Sequence, residues 1–131
     1  MRHAQIVLAA AFLALLASCA PTTITPEELV VQRPFDETFS VVINTINTQP
    51  YPETSSGWVV TQSDQVGGFV TAELEGESCI LFGLSCSPFT SQVSVALNAR
   101  GPNLTAVNLS QTGDELAREL SDRIADRLRA P

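Results

Sequence analysis

Few side chains in this sequence could carry chemistry. Its 131 residues hold seven Lys or Arg, fourteen Asp or Glu and one histidine. All seven cations are arginine, and the histidine is His3. Beyond that terminus, Ser-His-Asp and Cys-His arrangements lack their base. Histidine-ligated zinc lacks its ligand, and lysine Schiff-base chemistry lacks its amine. Carboxylates, hydroxyls, Tyr51 and three cysteines remain, at positions 19, 79 and 86. This is thin equipment for catalysis. We expect a non-enzyme with no catalytic residue, no cofactor and no metal site, and the cysteines become the informative group.

Cys19 closes a distinctive N-terminal segment. Met1-Arg2-His3 gives a short positive start, and Ile6 to Ala17 gives twelve residues without a polar side chain. Small residues follow at Ala17 and Ser18, as in a secretory signal. The apolar run is short of the ~20 residues of a spanning helix. Leu16-Ala17-Ser18-Cys19 resembles the lipobox of bacterial lipoproteins. That resemblance implies that residues 1–18 are a cleaved signal peptide and that the Cys19 thiol carries diacylglycerol. It also implies acylation of the new N-terminus, and two or more chains anchor stably where one does so marginally. In that family, Asp after the cysteine retains the protein in the inner membrane of many diderm bacteria. Ala20 stands there instead. The implied location is the cell envelope, at the periplasmic face of the outer membrane. An ordinary signal with an incidental cysteine is the alternative.

From Cys19 onward the chain is 113 residues, enough for one small domain with a modest core. Residues 19–27 read as the lipidated cysteine and a flexible tether, since Ala20 to Thr25 is small, polar and uncharged. Residues 28–131 read as a single α+β domain. Six arginines face fourteen carboxylates beyond the signal, a net charge of −8. With no basic patch, nucleic-acid binding is not expected, because affinity there comes from neutralising phosphates. Electrostatic docking of the domain on anionic lipid is disfavoured for the same reason.

Cys79 and Cys86 form a C-x6-C pair. An exported protein meets an oxidising compartment, and lipidation of Cys19 leaves an even number, so a structural disulfide is expected. A redox pair would want C-x-x-C at a helix start. Between the cysteines lie Ile80, Leu81, Phe82 and Leu84. In a domain this small, the economical expectation is that they fold back over the end of the core. The alternative is a rigid surface that touches an envelope partner or dips into a bilayer.

The elements that must position this loop follow from periodicity. A short strand is expected around Leu29 to Gln32, broken at Pro34. Phe35, Phe39, Val42, Ile43 and Ile46 then fall on one helical face, with Asp36 as the expected cap. Trp58 to Gln62 and Phe69 to Glu75 read as a hairpin about Ser63–Gly68. Gln92 to Asn98 alternates strictly, Arg100-Gly101-Pro102-Asn103 is a turn, and Leu104 to Ser110 is a further strand. Leu116, Leu120, Ile124 and Leu128 mark a final helix with Ala117 beside them. Thr112 to Glu115 offers a capping box. Glu119, Asp122 and Asp126 are expected to pair with Arg123 and Arg127. The order β-α-β-β-β-β-α predicts a two-layer sandwich: an antiparallel sheet of four to five strands with both helices on one face.

Other candidates have plainer readings. Glu73, Glu75 and Glu77 share a strand face, where paired carboxylates could hold Ca2+ or do acid/base work. A solvated face is expected instead. Trp58 reads as core rather than ligand site, and Tyr51 is the other aromatic with a polar tip. Asn103-Leu104-Thr105 matches a glycosylation sequon but reads as a turn. Pro34-Phe35, Gly57-Trp58 and the helix from Leu116 to Leu128 make the domain similar to small envelope lipoprotein domains such as those of BamC. No site residues transfer from that likeness. The expected function is a membrane-anchored, non-enzymatic accessory that is structural or binds an envelope protein partner. The alternative is a binder of a small apolar or lipid ligand between sheet and helices, which would need an enclosed cavity of ~300 Å3 or more.

Overall fold

The structure, a computed structural model, describes residues 28–131. The expected signal and tether, with Cys19, lie outside the described residues. The order is β1 (Glu28–Val31), α1 (Phe35–Asn47), β2 (Val59–Asp64), β3 (Phe69–Ile80), β4 (Ser85–Gly101), β5 (Leu104–Thr112) and α2 (Glu115–Arg129). A single 3-10 turn, Leu81–Gly83, joins β3 to β4. The strands form one antiparallel sheet in the order β1-β5-β4-β3-β2. The α+β two-layer architecture expected from the periodicity is the one found.

Register decides which face is buried. Val70 pairs with Val95 and Ala72 with Val93, while Val95 pairs with Leu109 and Leu97 with Val107. These side chains share one face, as period-2 alternation requires. Phe39, Val42 and Ile46 of α1 close over them, with Ala117, Leu120, Ile124 and Leu128 of α2. Val42, Ile46, Leu74, Leu120 and Ile124 are essentially inaccessible to solvent, so the space between the layers is filled by side chains. Trp58 is in this core as expected. Tyr51 is exposed, its ring lying over Gly57.

α1 forms despite its β-branched residues. Its hydroxyls fold back onto the helix: Thr38 donates to the Pro34 carbonyl at 2.9 Å and Thr45 to that of Val41 at 2.7 Å. This satisfies both groups where they are buried. Two caps differ from expectation. Pro34, not Asp36, is the N-cap of α1, and Asp36 sits in the first turn, where it favours the helix dipole. At α2 the cap is Asp114, which accepts the Leu116 N–H at 3.0 Å and the hydroxyl proton of buried Ser91. A cap two residues after Thr112 replaces the expected capping box.

The solvent face of α2 is also rearranged. Glu115–Arg118 and Asp126–Arg129 are its ion pairs. Glu119 and Arg123 both turn to the buried Gln49 amide, at 3.5 and 3.3 Å. A buried amide needs partners more than an exposed ion pair contributes.

Candidate functional site

The main departure from the sequence reading is at the cysteines. β3 continues five residues past Glu75, and β4 starts seven residues before Gln92. The pairing runs unbroken through Gly76↔Phe89, Glu77↔Pro88, Ser78↔Ser87, Cys79↔Cys86 and Ile80↔Ser85. The outer neighbours stop earlier. β2 last meets β3 at Glu73, apart from one bridge at Ser55↔Gly76, and β5 last meets β4 at Gln92. Residues 77–88 therefore form a two-stranded arm with no further strand beside it, tied to the neighbouring loop at its first residue, where the Glu77 N–H donates to the Thr54 carbonyl at 3.4 Å. Its four pairs, at ~3.3 Å per residue, carry the turn about 13 Å beyond the sheet. Pro88 is tolerated because β4 has a partner on only one side there.

The root of this arm is braced. Ser56 N–H donates to the Glu75 carbonyl at 2.7 Å, and Glu75 N–H donates to the Ser56 hydroxyl at 3.2 Å. Phe89 lies across Gly76, so closely that a Cβ there would come within 2.6 Å of the ring. An aromatic ring covering a cross-strand glycine stiffens a hairpin that lacks other packing. Beyond the root, an isolated hairpin is marginally stable in water. The Cys79–Cys86 disulfide joins directly opposed residues at that point. The expected pair is thus formed, and it clamps the end of the arm.

The expectation that the apolar loop covers the core is overturned. Ile80 is 63% exposed, Leu81 65%, Phe82 109% and Leu84 87%. The core ends at Leu74 on β3 and Val93 on β4, so the arm offers the loop nothing to fold onto. The backbone makes the exposure firmer. Leu81 and Phe82 both have positive φ, 54° and 55°, and Gly83 follows at 88°. Glycine or asparagine suits that conformation, and a bulky residue there costs ~1–3 kcal/mol. A loop that only reversed the chain would be served by small residues. This one holds leucine and phenylalanine outward.

The remaining candidates sort simply. Glu75 and Glu77 are exposed, and Glu73 accepts from the Gln92 amide at 3.0 Å, so this is a solvated strand face as expected. A Glu77 oxygen and both cysteine sulfurs lie within 4.8 Å of one another, but the disulfide leaves no thiolate to bind a metal. Asn103 lies in the β4–β5 turn, and the Thr105 hydroxyl is buried, donating to the Arg33 carbonyl at 2.9 Å.

Among the described residues, grooves open on the surface. One, about 490 Å3, runs beside the arm root between Pro52, Phe89 and Leu116. Another, about 410 Å3, lies by the C-terminus between Arg33, Glu37 and Leu128. Both are open to solvent.

No protein-family model matches the chain, and no curated protein matches it. Solved structures give slight likenesses. A DUF4468 family protein from Bacteroides ovatus is 12% identical, with a TM-score of 0.44 over 82% of this chain and 86% of that one. A START superfamily protein from Mycobacterium smegmatis is 12% identical, with a TM-score of 0.38 over 79% of this chain and 92% of that one. The Zhui aromatase/cyclase from Streptomyces sp. R1128 is 11% identical, with a TM-score of 0.35 over 79% and 84%. Likenesses this slight transfer no ligand, reaction or site residue.

Proposed function

We propose that this protein is a lipid-anchored accessory of the cell envelope that works by contact rather than catalysis, with the β3–β4 arm as its contact element. The observation that carries the reading is the exposure of Ile80, Leu81, Phe82 and Leu84 at the end of a braced, disulfide-closed arm. Four large apolar side chains held in water at one point cost free energy unless they meet an apolar surface, and such patches mark contact sites. The anchor rests on the Leu16-Ala17-Ser18-Cys19 signature, and the outer membrane on Ala20. Lipid at Cys19 places the domain beside its target and raises the effective concentration of a weak contact.

Two results test the reading. Cys19→Ser in the full chain is expected to abolish acylation and move the protein out of the membrane fraction. A serine variant that is still correctly processed and membrane-bound refutes the anchor. A photo-crosslinking residue at position 82 is expected to capture an envelope component more efficiently than one at Val66. Val66 is 99% exposed and lies in the β2–β3 turn, at the opposite end of β3. Equal capture from both positions refutes the contact element.

A further inference from the structure

We infer that the surface met by the arm is the bilayer in which Cys19 is anchored, so that the domain is held at two points. The inference rests on the lipid-anchor reading above and names the partner of that same tip. Three observations carry it: the direction of β1, the length of chain before it, and the charge of the arm.

β1 runs antiparallel to β5, with Glu28 opposite Asn108 and Val31 opposite Thr105. Asn108 lies opposite Ala96 of β4. β1 therefore points away from the arm, and the chain enters it from the end at which the arm projects. Eleven positions of β4 separate Ala96 from Ser85, about 36 Å at ~3.3 Å per residue, and the turn lies just beyond. Cys19 precedes Glu28 by nine residues, a reach of at most ~30 Å. Twist of ~20–25° per strand, over the two steps from β1 to β4, tilts the arm by about 45° against β1 and reduces its height along the tether to about 25 Å. The anchor and the tip can thus meet one plane.

The arm carries no charge where it would meet that plane. From Ser78 to Ala99 there is no Asp, Glu, Lys or Arg, in a domain otherwise rich in carboxylates. Serines at 78, 85 and 87 sit behind the apolar tip, in the position of the headgroups. Protein-binding hot spots favour Tyr, Trp or Arg anchors, and leucine is under-represented among them. This tip has none of the three residues. Backbone polar groups of a turn cannot enter the hydrocarbon centre, so insertion is shallow, ~5–10 Å. With net negative charge above it, the tip favours zwitterionic over anionic lipid.

The test uses the mature acylated protein bearing Phe82→Trp in vesicles of phosphatidylcholine brominated on its acyl chains. Trp58 is the only other tryptophan and is buried, so wild type supplies the background. The expected result is a blue-shifted extra emission that the bromines quench. Adding Leu81→Asp and Leu84→Asp should abolish the quenching without lowering the thermal midpoint, because both residues are exposed and Asp tolerates the positive φ at position 81. The same Asp pair in an unacylated Cys19→Ser chain should lower partitioning to phosphatidylcholine vesicles by ~100-fold. Replacing part of that lipid with phosphatidylglycerol should weaken binding at low salt. An unquenched, water-like emission from a protein whose acyl mass at Cys19 is verified overturns the bilayer contact and leaves the anchored reading standing. Absence of the acyl mass overturns that reading, and the two-point attachment with it, without involving the tip.

Discussion

Replacing both Cys79 and Cys86 with serine should loosen the arm while sparing the fold. The bridge closes a loop with a sequence separation of 7. On the chain-entropy model such a loop is worth ~2.4 kcal/mol. That figure would be lost from global stability only if the native state stayed fully ordered without the bridge. Here it does not stay ordered. Residues 77–88 have no outer strand neighbour and no core beneath them, and a bare hairpin is marginal. The arm of the variant therefore frays within the folded protein, and the loss is local. Amides of residues 78–80 and 85–87 are expected to exchange with deuterium up to ~50-fold faster, the equivalent of ~2.4 kcal/mol. Amides of Val70, Ala72, Val93 and Val95 should hold within about twofold, since global unfolding governs them. The thermal midpoint should fall by less than ~4 °C. A drop of ~10 °C or more, with core and arm amides accelerating together, would mean that the arm belongs to the same cooperative unit as the core.

The core and its boundaries give further expectations. Leu120→Ala removes a fully buried side chain between α2 and the sheet, and should cost ~3–4 kcal/mol in urea denaturation. A loss below ~1 kcal/mol would contradict the packing described. Gly68→Ala meets both a φ of +70° and a Cβ position 2.2 Å from the Leu97 carbonyl oxygen, so destabilisation should exceed ~1 kcal/mol. Unchanged stability would show that the β2–β3 turn is misplaced. Asp114→Ala should cost ~1 kcal/mol through the lost helix cap, and more through the stranded Ser91 hydroxyl. Asp114→Asn should recover most of the loss in the same melts.

Much of this fold could be read from periodicity. The two helical faces, the alternation of Val93, Val95 and Leu97, and the Gly101 turn all followed from side-chain spacing, because burial on one face imposes it. The arm was missed for a physical reason. Between Gly76 and Ser91 the chain has no buried face, so alternation disappears and serine, glycine and proline read as loop. A signal was nonetheless present. If Cys79 is set opposite Cys86, Val70 falls opposite Val95 and Ala72 opposite Val93, which aligns both apolar alternations on one face. The cysteines thus encode the hairpin register, and with it the exposure of Phe82. The helix caps were misread because Asp114 and Pro34 are selected by backbone position at the turn, which spacing alone does not reveal.

The contact of the tip can be measured most directly by hydroxyl-radical footprinting of Phe82 against Val66. Both are fully exposed in the isolated domain and should be oxidised freely there. In the native envelope, the account expects Phe82 to become protected while Val66 stays reactive. A Phe82 oxidation rate in the envelope that falls no more than that of Val66, each relative to its own rate in the isolated domain, would contradict it, leaving an apolar arm that touches nothing.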